Sequence, residues 1–265
     1  MDISDVLFFD TETTGIPERT AEWDKDYETY PHIVQLAWIF KGQEHSHIIR
    51  PDGWEIPQET IEIHGITNER AKAEGKPFGI VVNAFIEDCL KAGLICAHNI
   101  HFDTSIFKAN ILRDLGREYY NTADVESALY KGKRIDTMRP AMKWVGATTA
   151  AGRLKFPNLG ELYARCFPGQ TFPAHDALED TRAVAQCLPV LVDLGILELK
   201  VKEYPAEPAE DAKKPAETPA QQETRENSII LHDNPKDDKL PIPNEKVRLN
   251  ENSQKINELL EQNDF

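Results

Sequence analysis

The feature that most constrains the fold is a pair of short apolar runs, VLFF at 6–9 and LICA at 94–97. Apolar runs of this length without alternation are typical of strands buried on both faces of a sheet. Helical patterns separate the two runs, and strands that return parallel after helical crossovers form a sheet covered by helices. The sequence therefore predicts an α/β fold with a mixed central sheet flanked by helices.

Residues 1–200 supply the other predicted elements. Strands are predicted at 32–40 and 46–49, which would form a small antiparallel meander with the first strand. Helices are predicted at 83–92, 103–115, 159–167 and 177–194. Pro189 lies inside the last helix and should kink it or end it near Leu188.

Residues 201–265 differ in composition from the rest of the chain. They hold 7 of the 17 prolines, none of the 14 glycines and two aromatic residues. Such a segment buries too little apolar surface to offset the entropy lost on ordering. We therefore expect one domain at 1–200 and a mostly disordered Pro/Glu-rich tail at 201–265. Two apolar patches in the tail, at 228–231 and 253–265, are either partner-binding peptides or incidental linker residues.

Charge and cysteine content limit the function classes. The chain has 30 Lys and Arg against 45 Asp and Glu, a formal net charge of -15. Gripping duplex nucleic acid by counterion release needs a surplus of cations, so nucleic-acid binding would require a local basic surface. The four cysteines form no C-x-x-C pair, which argues against a disulfide framework or a structural zinc site.

The sequence also matches neither the pattern of a signal peptide nor that of a membrane span. The first ten residues carry acids where a signal peptide carries Lys or Arg, and no apolar run approaches the ~18 residues of a membrane span. Four free thiols are typical of a reducing compartment. We expect a soluble cytoplasmic protein without membrane association.

Four acids interrupt the apolar patterns of three predicted elements. Asp10 and Glu12 follow the first strand, where a period of two places both carboxylates on one face. Asp103 and Asp180 each lie on the apolar stripe of a helix. Each acid alone is compatible with a helix cap or a turn, but buried carboxylates without paired cations are costly. Together they predict an all-oxygen site for Mg²⁺ or Mn²⁺.

His175 lies five residues before Asp180. Asp176 and Glu179 resemble a capping box, which makes Asp176 the N-cap of the last helix and leaves His175 on the preceding loop. From that loop the imidazole can reach a metal-bound water, and histidine is the side chain that titrates nearest neutral pH. The alternative for a loop histidine is simple exposure to solvent.

Three motifs carry a family resemblance: FFDTETTG at 8–15, AHNIHFD at 97–103 and HDALEDTRA at 175–183. In order and spacing they resemble the three motifs of the DEDDh, or DnaQ-like, 3′-to-5′ exonucleases. The resemblance implies an RNase H-like fold and two divalent cations, Mg²⁺ or Mn²⁺, held by Asp10, Glu12, Asp103 and Asp180. It also implies that His175 is the general base that activates the attacking water.

The same resemblance implies a pocket for the 3′-terminal nucleotide. The residues that it assigns to this pocket are Thr11, Thr13, Ile63, His64, Asn99 and Phe102. For Thr11 and Thr13 the contact is through the backbone. His64 and Phe102 are open to the alternative of core packing.

Residues 131–155 form a local basic segment of the kind that nucleic-acid binding by this acidic chain would require. Seven cations face a single acid, Asp136, and a tryptophan lies among them. A basic stripe with an aromatic residue is typical of single-strand binding, and a solvated basic loop is the alternative. The candidate strand-binding residues are Lys131, Lys133, Arg134, Arg139, Lys143, Trp144, Arg153 and Lys155.

These observations predict a metal-dependent 3′-to-5′ exonuclease that releases nucleoside monophosphates from single-stranded or frayed DNA 3′ ends. A proofreading or repair role, with the tail as a tether to a polymerase or another replication or repair protein, fits this activity. An exoribonuclease of the same fold is an alternative, as is a general metal phosphodiesterase. A non-catalytic interaction subunit is disfavoured because all five catalytic positions are present.

Overall fold

The computed structural model describes residues 3–200, which form a five-stranded mixed sheet flanked by helices. Its strands are β1 (Val6–Thr13), β2 (Ile33–Phe40), β3 (Gln43–Ile48), β4 (Leu94–Ala97) and β5 (Arg134–Asp136). The order across the sheet is β3-β2-β1-β4-β5. The central strand β1 is antiparallel to β2 and parallel to β4, and β4 is parallel to β5. The predicted mixed α/β sheet is confirmed.

Nine α-helices connect or cover these strands within the described residues. They are α1 (Gln58–His64), α2 (Asn68–Glu74), α3 (Phe78–Lys91), α4 (Ile100–Asp114), α5 (Gly116–Thr122), α6 (Val125–Ala128), α7 (Met138–Val145), α8 (Leu159–Cys166) and α9 (Ala177–Asp193). None of the helices in this part of the chain is both long and apolar enough to cross a membrane. The predictions for 201–265, including both candidate peptides, lie outside the described residues.

The apolar start of β1 is buried on both sides, as its composition predicts. Leu7 and Phe9 belong to the core that α3 and α4 cover, whereas Val6 and Phe8 face the core that α9 covers. Alternating side chains of one strand therefore hold two helical layers together. This sandwich fixes the polar second half of β1, which carries Asp10 and Glu12, between α4 and α9.

Several element boundaries differ from the sequence prediction. β1 continues to Thr13 because its polar half still pairs with β2, with Glu12 opposite Gln35. Helix α3 begins at Phe78, directly after Pro77, and proline is favoured at helix starts. Helices α1, α2, α5, α6 and α7 and strand β5 were not predicted, because elements this short depend on tertiary packing more than on local pattern.

The proline in α9 neither ends nor shortens the helix at Leu188. Helix α9 runs to Asp193, with Pro189 buried inside it. Proline removes one backbone hydrogen bond from a helix, and packing of the surrounding apolar side chains on the sheet offsets that loss here. All four cysteines are free and buried in the structure.

Candidate active site

Three carboxylates meet where the polar half of β1 passes the first turn of α9. One oxygen each from Asp10, Glu12 and Asp180 lie within 4.8 Å of one another. Asp10 and Glu12 are two residues apart on β1, so the strand presents both on one face, as the sequence predicts. The helix α9 packs on that face and brings Asp180 to them.

The fourth predicted acid comes from the opposite helical layer. Asp103, in the first turn of α4, is only 2% exposed and accepts a 2.8 Å hydrogen bond from Thr11 Oγ1. Its charge is the largest of the neighbouring charges that raise the pKa of Asp10. Asp103 therefore borders the group of three, although its own oxygens fall outside that group.

Burial disfavours the ionised forms of all four acids. Burial, then the charges of Asp103 and Asp180, raises the pKa of Asp10 well above its usual range. Burial, followed by Asp180, raises the pKa of Glu12 to about 8. Burial also raises the pKa of Asp103 to about 7 and that of Asp180 to about 6. Desolvation is the largest cause at each position.

The donor set fits hard divalent cations. Within residues 3–200 no Lys or Arg forms an ion pair with any of the four carboxylates. Clustered carboxylates that repel one another and lack a protein cation are stabilised by bound metal ions. Carboxylate oxygens are the ligands that Mg²⁺ and Mn²⁺ prefer.

The loop before α9 holds His175 outside the helix, as predicted. Asp176 is the N-cap, and its Oδ1 accepts hydrogen bonds from the backbone N–H of Leu178 at 3.0 Å and of Glu179 at 3.3 Å. His175 is exposed, has a left-handed backbone with φ of 72°, and donates its backbone N–H to Asp180 Oδ2 at 3.2 Å. This bond ties the histidine backbone to one of the clustered acids.

The predicted capping box is only half present. A full capping box would use the Glu179 carboxylate to accept from the N-cap backbone. Instead, Glu179 Oε1 accepts a 2.6 Å hydrogen bond from Arg182 Nη1, and Arg182 Nε donates to Glu44 Oε1 on β3 at 2.9 Å. Arg182 thus draws the glutamate away from the cap and links α9 to the sheet edge.

Sequence reasoning missed Gln35, which fastens α9 to the sheet beside Glu12. Gln35 is 4% exposed, and its Oε1 accepts from the backbone N–H of Ala177 at 3.2 Å. Its Nε2 donates to Asp176 Oδ2 at 3.2 Å and to Ser46 Oγ at 3.0 Å. A glutamine inside an otherwise apolar strand was the signal that could have identified it.

His64 lies at the end of α1 with one buried, unpartnered nitrogen. Its Nδ1 accepts a 3.1 Å hydrogen bond from the backbone N–H of Ile66, so the proton of the neutral ring belongs on Nε2. That Nε2 is buried and has no hydrogen-bond partner among residues 3–200. Burial, followed by the charge of His175, lowers the pKa of His64. The adjacent Ile63 is 54% exposed.

The other predicted pocket residues surround the start of α4 and the end of β1. Asn99 adopts a left-handed conformation, with φ of 67°, and its backbone N–H donates to Asp136 Oδ1 at 3.0 Å. Phe102 is half-buried and packs against the apolar core, so core packing accounts for part of its surface. The hydroxyls of Thr11 and Thr13 are directed to Asp103 Oδ1 and Gly15 O.

Some side chains of the basic segment are exposed to solvent, and others bind to neighbouring parts of the fold. Lys133 Nζ donates to Cys89 O at 2.9 Å, and Arg134 donates to Leu129 O and to Thr104 Oγ1. Lys155 pairs with Glu161, and Trp144 packs into the core beneath the Arg165 guanidinium. These four predicted strand-binding residues thus have structural partners. The exposed cations are Lys131, Arg139, Lys143 and Arg153.

The fold and its acidic group define a class of protein. A model of the RNase T family, described as exonuclease, matches residues 7–188. The chain therefore belongs to this exonuclease family, and the predicted membership of the DnaQ-like exonucleases with an RNase H-like fold is confirmed. No curated protein matches the sequence at a significant level.

Solved structures show the same fold. Exonuclease I of E. coli, solved in complex with a dA16 oligonucleotide, is 20% identical with a TM-score of 0.51. Exonuclease I of Methylocaldum szegediense is 19% identical with a TM-score of 0.52. Each alignment covers 71% of this chain and 40% of the exonuclease I chain, so this protein matches about two fifths of those proteins.

Proposed function

We propose that this protein is a metal-dependent 3′-to-5′ exonuclease that releases nucleoside monophosphates from single-stranded or frayed DNA ends. The observation that carries the proposal is the convergence of Asp10, Glu12 and Asp180, with Asp103 beside them, in a chain of the exonuclease family. That an exonuclease I of the same fold was solved with a DNA oligonucleotide supports DNA as the substrate.

The four carboxylates would hold two Mg²⁺ or Mn²⁺ ions. When bound, such ions lower the pKa of a water molecule and neutralise charge on the scissile phosphate and the leaving 3′ oxygen. His175 would accept the proton of the attacking water as general base. Its exposure lets the imidazole pass that proton to solvent, while its backbone bond to Asp180 keeps it next to the acids.

The 3′-terminal nucleotide would occupy the space beside α1 and the end of β1. His64 supports this assignment, since its buried Nε2–H finds no acceptor in the described part of the chain and a substrate oxygen would satisfy it. Ile63 offers an exposed apolar surface to a sugar or a base. The backbone at Thr11 and Thr13, together with Asn99 and Phe102, would complete the pocket. A pocket that is closed around the terminal sugar explains removal of nucleotides from one end only.

We also propose a cellular role for this activity. Residues 1–200 would be the catalytic domain, and the tail at 201–265 would tether it to a polymerase or another replication or repair protein. Proofreading or repair needs an activity that removes single nucleotides from frayed 3′ ends. Four free thiols favour the reducing conditions of the cytoplasm.

The decisive assay incubates the purified protein with Mg²⁺ and 5′-labelled single-stranded DNA. We expect a ladder of products shortened from the 3′ end, and loss of activity by more than about a hundred-fold in Asp10→Ala, because a site ligand is removed. Asp24→Ala, which removes an exposed aspartate, serves as the matched control. An intact substrate, or equal activity in Asp10→Ala, would refute the proposal. An RNA ladder run in parallel separates an exoribonuclease from a deoxyribonuclease.

A further inference from the structure

An exposed β-hairpin follows α7. Lys155 donates its backbone N–H to Ala147 O at 2.9 Å, and Thr149 donates its own to Arg153 O at 2.8 Å. Gly152, with φ of 73°, supplies the left-handed residue at the tip. We name residues 147–157, which comprise this hairpin and the two residues after it, the hairpin arm.

The hairpin arm carries two large apolar side chains that the core does not cover. Leu154 is 48% exposed and Phe156 is 46% exposed. Single exposed apolar residues are ordinary on protein surfaces. Phe156 differs because the guanidinium carbon of Arg139, from α7, lies 5.2 Å from its ring centroid. An aromatic ring and a cation are thus presented together.

Direct contacts fix this pair to the loop that starts α4. Arg139 Nε is 3.3 Å from Asp136 Oδ2, and Asp136 Oδ1 accepts the backbone N–H of Asn99 at 3.0 Å. The base of the arm has its own link, since His98 Nε2 donates to Pro157 O at 3.0 Å. The arm is therefore held next to the turn that presents Asp103 to the acidic group.

Positively charged side chains lie around the hairpin arm, as binding to the negatively charged backbone of a polynucleotide requires. Lys131, just before β5, and Arg139, in α7, are exposed. Arg153 at the tip of the arm is also exposed. These groups lie on the β4–β5 side of the acidic group and form a cationic flank beside an otherwise acidic site.

The topology places the arm opposite the proposed terminal pocket. Helix α1, which carries Ile63 and His64, packs with α2 against β2 and β3. The arm and α7 follow β5, on the other side of the central strand β1. If the 3′-terminal nucleotide is enclosed on the α1 side, the rest of the strand has to leave across the β5 side.

We propose that the hairpin arm and Arg139 bind the single-stranded polynucleotide on the 5′ side of the scissile phosphate. Phe156 stacks on a base, and Arg139 and Arg153 contact the phosphates. This inference rests on the proposed function for its substrate and adds a binding surface outside the acidic site. Stacking on an aromatic side chain tolerates any base, as an exonuclease that trims mixed sequences requires.

The test compares a polymer with a substrate that is too short to reach the arm. The polymer is a 5′-labelled oligothymidylate of about 16 nucleotides, and the short substrate is the p-nitrophenyl ester of thymidine 5′-monophosphate. For Phe156→Ala and Arg139→Gln, we expect the ratio of kcat/KM on the polymer to kcat/KM on the ester to fall about ten-fold, within the range for the loss of one stacked base. Phe156→Trp should retain the ratio of the parent protein. Ile80→Ala, which removes a 61% exposed apolar residue from α3, is the matched control.

A binding measurement keeps this test independent of catalysis. Fluorescence anisotropy of the labelled oligonucleotide without metal should show affinity weakened about ten-fold by Phe156→Ala and not by Ile80→Ala. Equal affinity in the two variants, or equal losses on polymer and ester, would overturn the assignment of the arm. A parent protein that binds the oligonucleotide through Phe156 yet cleaves neither substrate would refute the proposed function and leave the binding surface supported.

Discussion

Replacing Glu12 with glutamine should stabilise the metal-free protein while abolishing its activity. Glu12 lies in the acidic group with Asp10 and Asp180, and burial, followed by the charges of Asp180, Asp176 and Asp103, raises its pKa from 4.5 to about 8. Glutamine keeps the shape of the side chain and removes the charge. The variant therefore separates the cost of the charge from the packing of the residue.

The magnitude follows from that pKa. At ~1.4 kcal/mol for each ten-fold change in proton affinity, holding Glu12 ionised in the folded state costs roughly 5 kcal/mol. Relaxation of the neighbouring carboxylates and screening by salt reduce this cost, so we expect a gain of ~1–3 kcal/mol in the free energy of unfolding.

The gain should depend on pH in a defined direction. Below a pH of ~4.5 Glu12 is protonated in both the folded and unfolded states, so the substitution changes little. Between ~4.5 and ~8 the unfolded state loses its proton while the folded state keeps it, and the parent protein loses stability relative to the variant. Above ~8 the difference stays at its full value.

Urea unfolding in EDTA at about pH 5, 7 and 9 measures this profile directly. Glu55→Gln, at an exposed glutamate, is the control and should show no such trend. Millimolar Mg²⁺ should reverse the order, because a ligand that binds only the folded state stabilises it and the variant has lost one carboxylate. Equal stability of Glu12→Gln and the parent protein at every pH in EDTA would refute the claim that burial and the neighbouring carboxylates disfavour the ionised form of Glu12 in the fold.

Two further predictions concern residues around the acidic group. Gln35→Met keeps the volume of the side chain but removes its hydrogen bonds to Ala177 and Asp176. The Mg²⁺ concentration that gives half-maximal activity should therefore rise about ten-fold. Gln58→Met, at an exposed glutamine, is the control. Only four of the seven basic side chains at 131–155 are exposed, so the slope of log K against log salt for single-stranded DNA should be no steeper than about -3. Seven contacts would give about -5, and a slope that steep would mean that Lys133, Arg134 and Lys155 leave their protein partners to bind phosphate.

The sequence predicted the parts of the fold that depend on local pattern. Four apolar residues before Asp10 are enough to identify a doubly buried strand, and the two cores on opposite faces of β1 bear this out. The boundary at Thr13 was missed because polar residues in a strand resemble a loop when their pairing partner is unknown. Pairing of Glu12 with Gln35 is a contact between distant parts of the chain, and local pattern contains no information about it.

The acids of the site were predictable because their chemistry conflicts with their surroundings. A carboxylate on an apolar stripe, such as Asp103, is conspicuous in any sequence. The groups that position the site were not predictable in this way. Gln35 and Asp136 act through hydrogen bonds to backbone N–H groups of Ala177 and Asn99, and such bonds are visible only once the fold brings these residues together.

The basic segment shows why a charge count is a weak guide to a binding surface. Lys133 and Arg134 contribute as much to the count as Arg139 and Arg153, yet their donors are used by backbone carbonyls and a threonine hydroxyl of the fold itself. Phe156 has no charge and did not enter the count, although it lies directly beneath the Arg139 guanidinium. Burial of a basic side chain and its hydrogen bonds within the protein decide whether it can bind a phosphate. The net charge of -15 and the acidic group at the centre of the site are therefore compatible with DNA binding, because exposed cations such as Arg139 and Arg153 lie beside the site and divalent ions would neutralise the carboxylates.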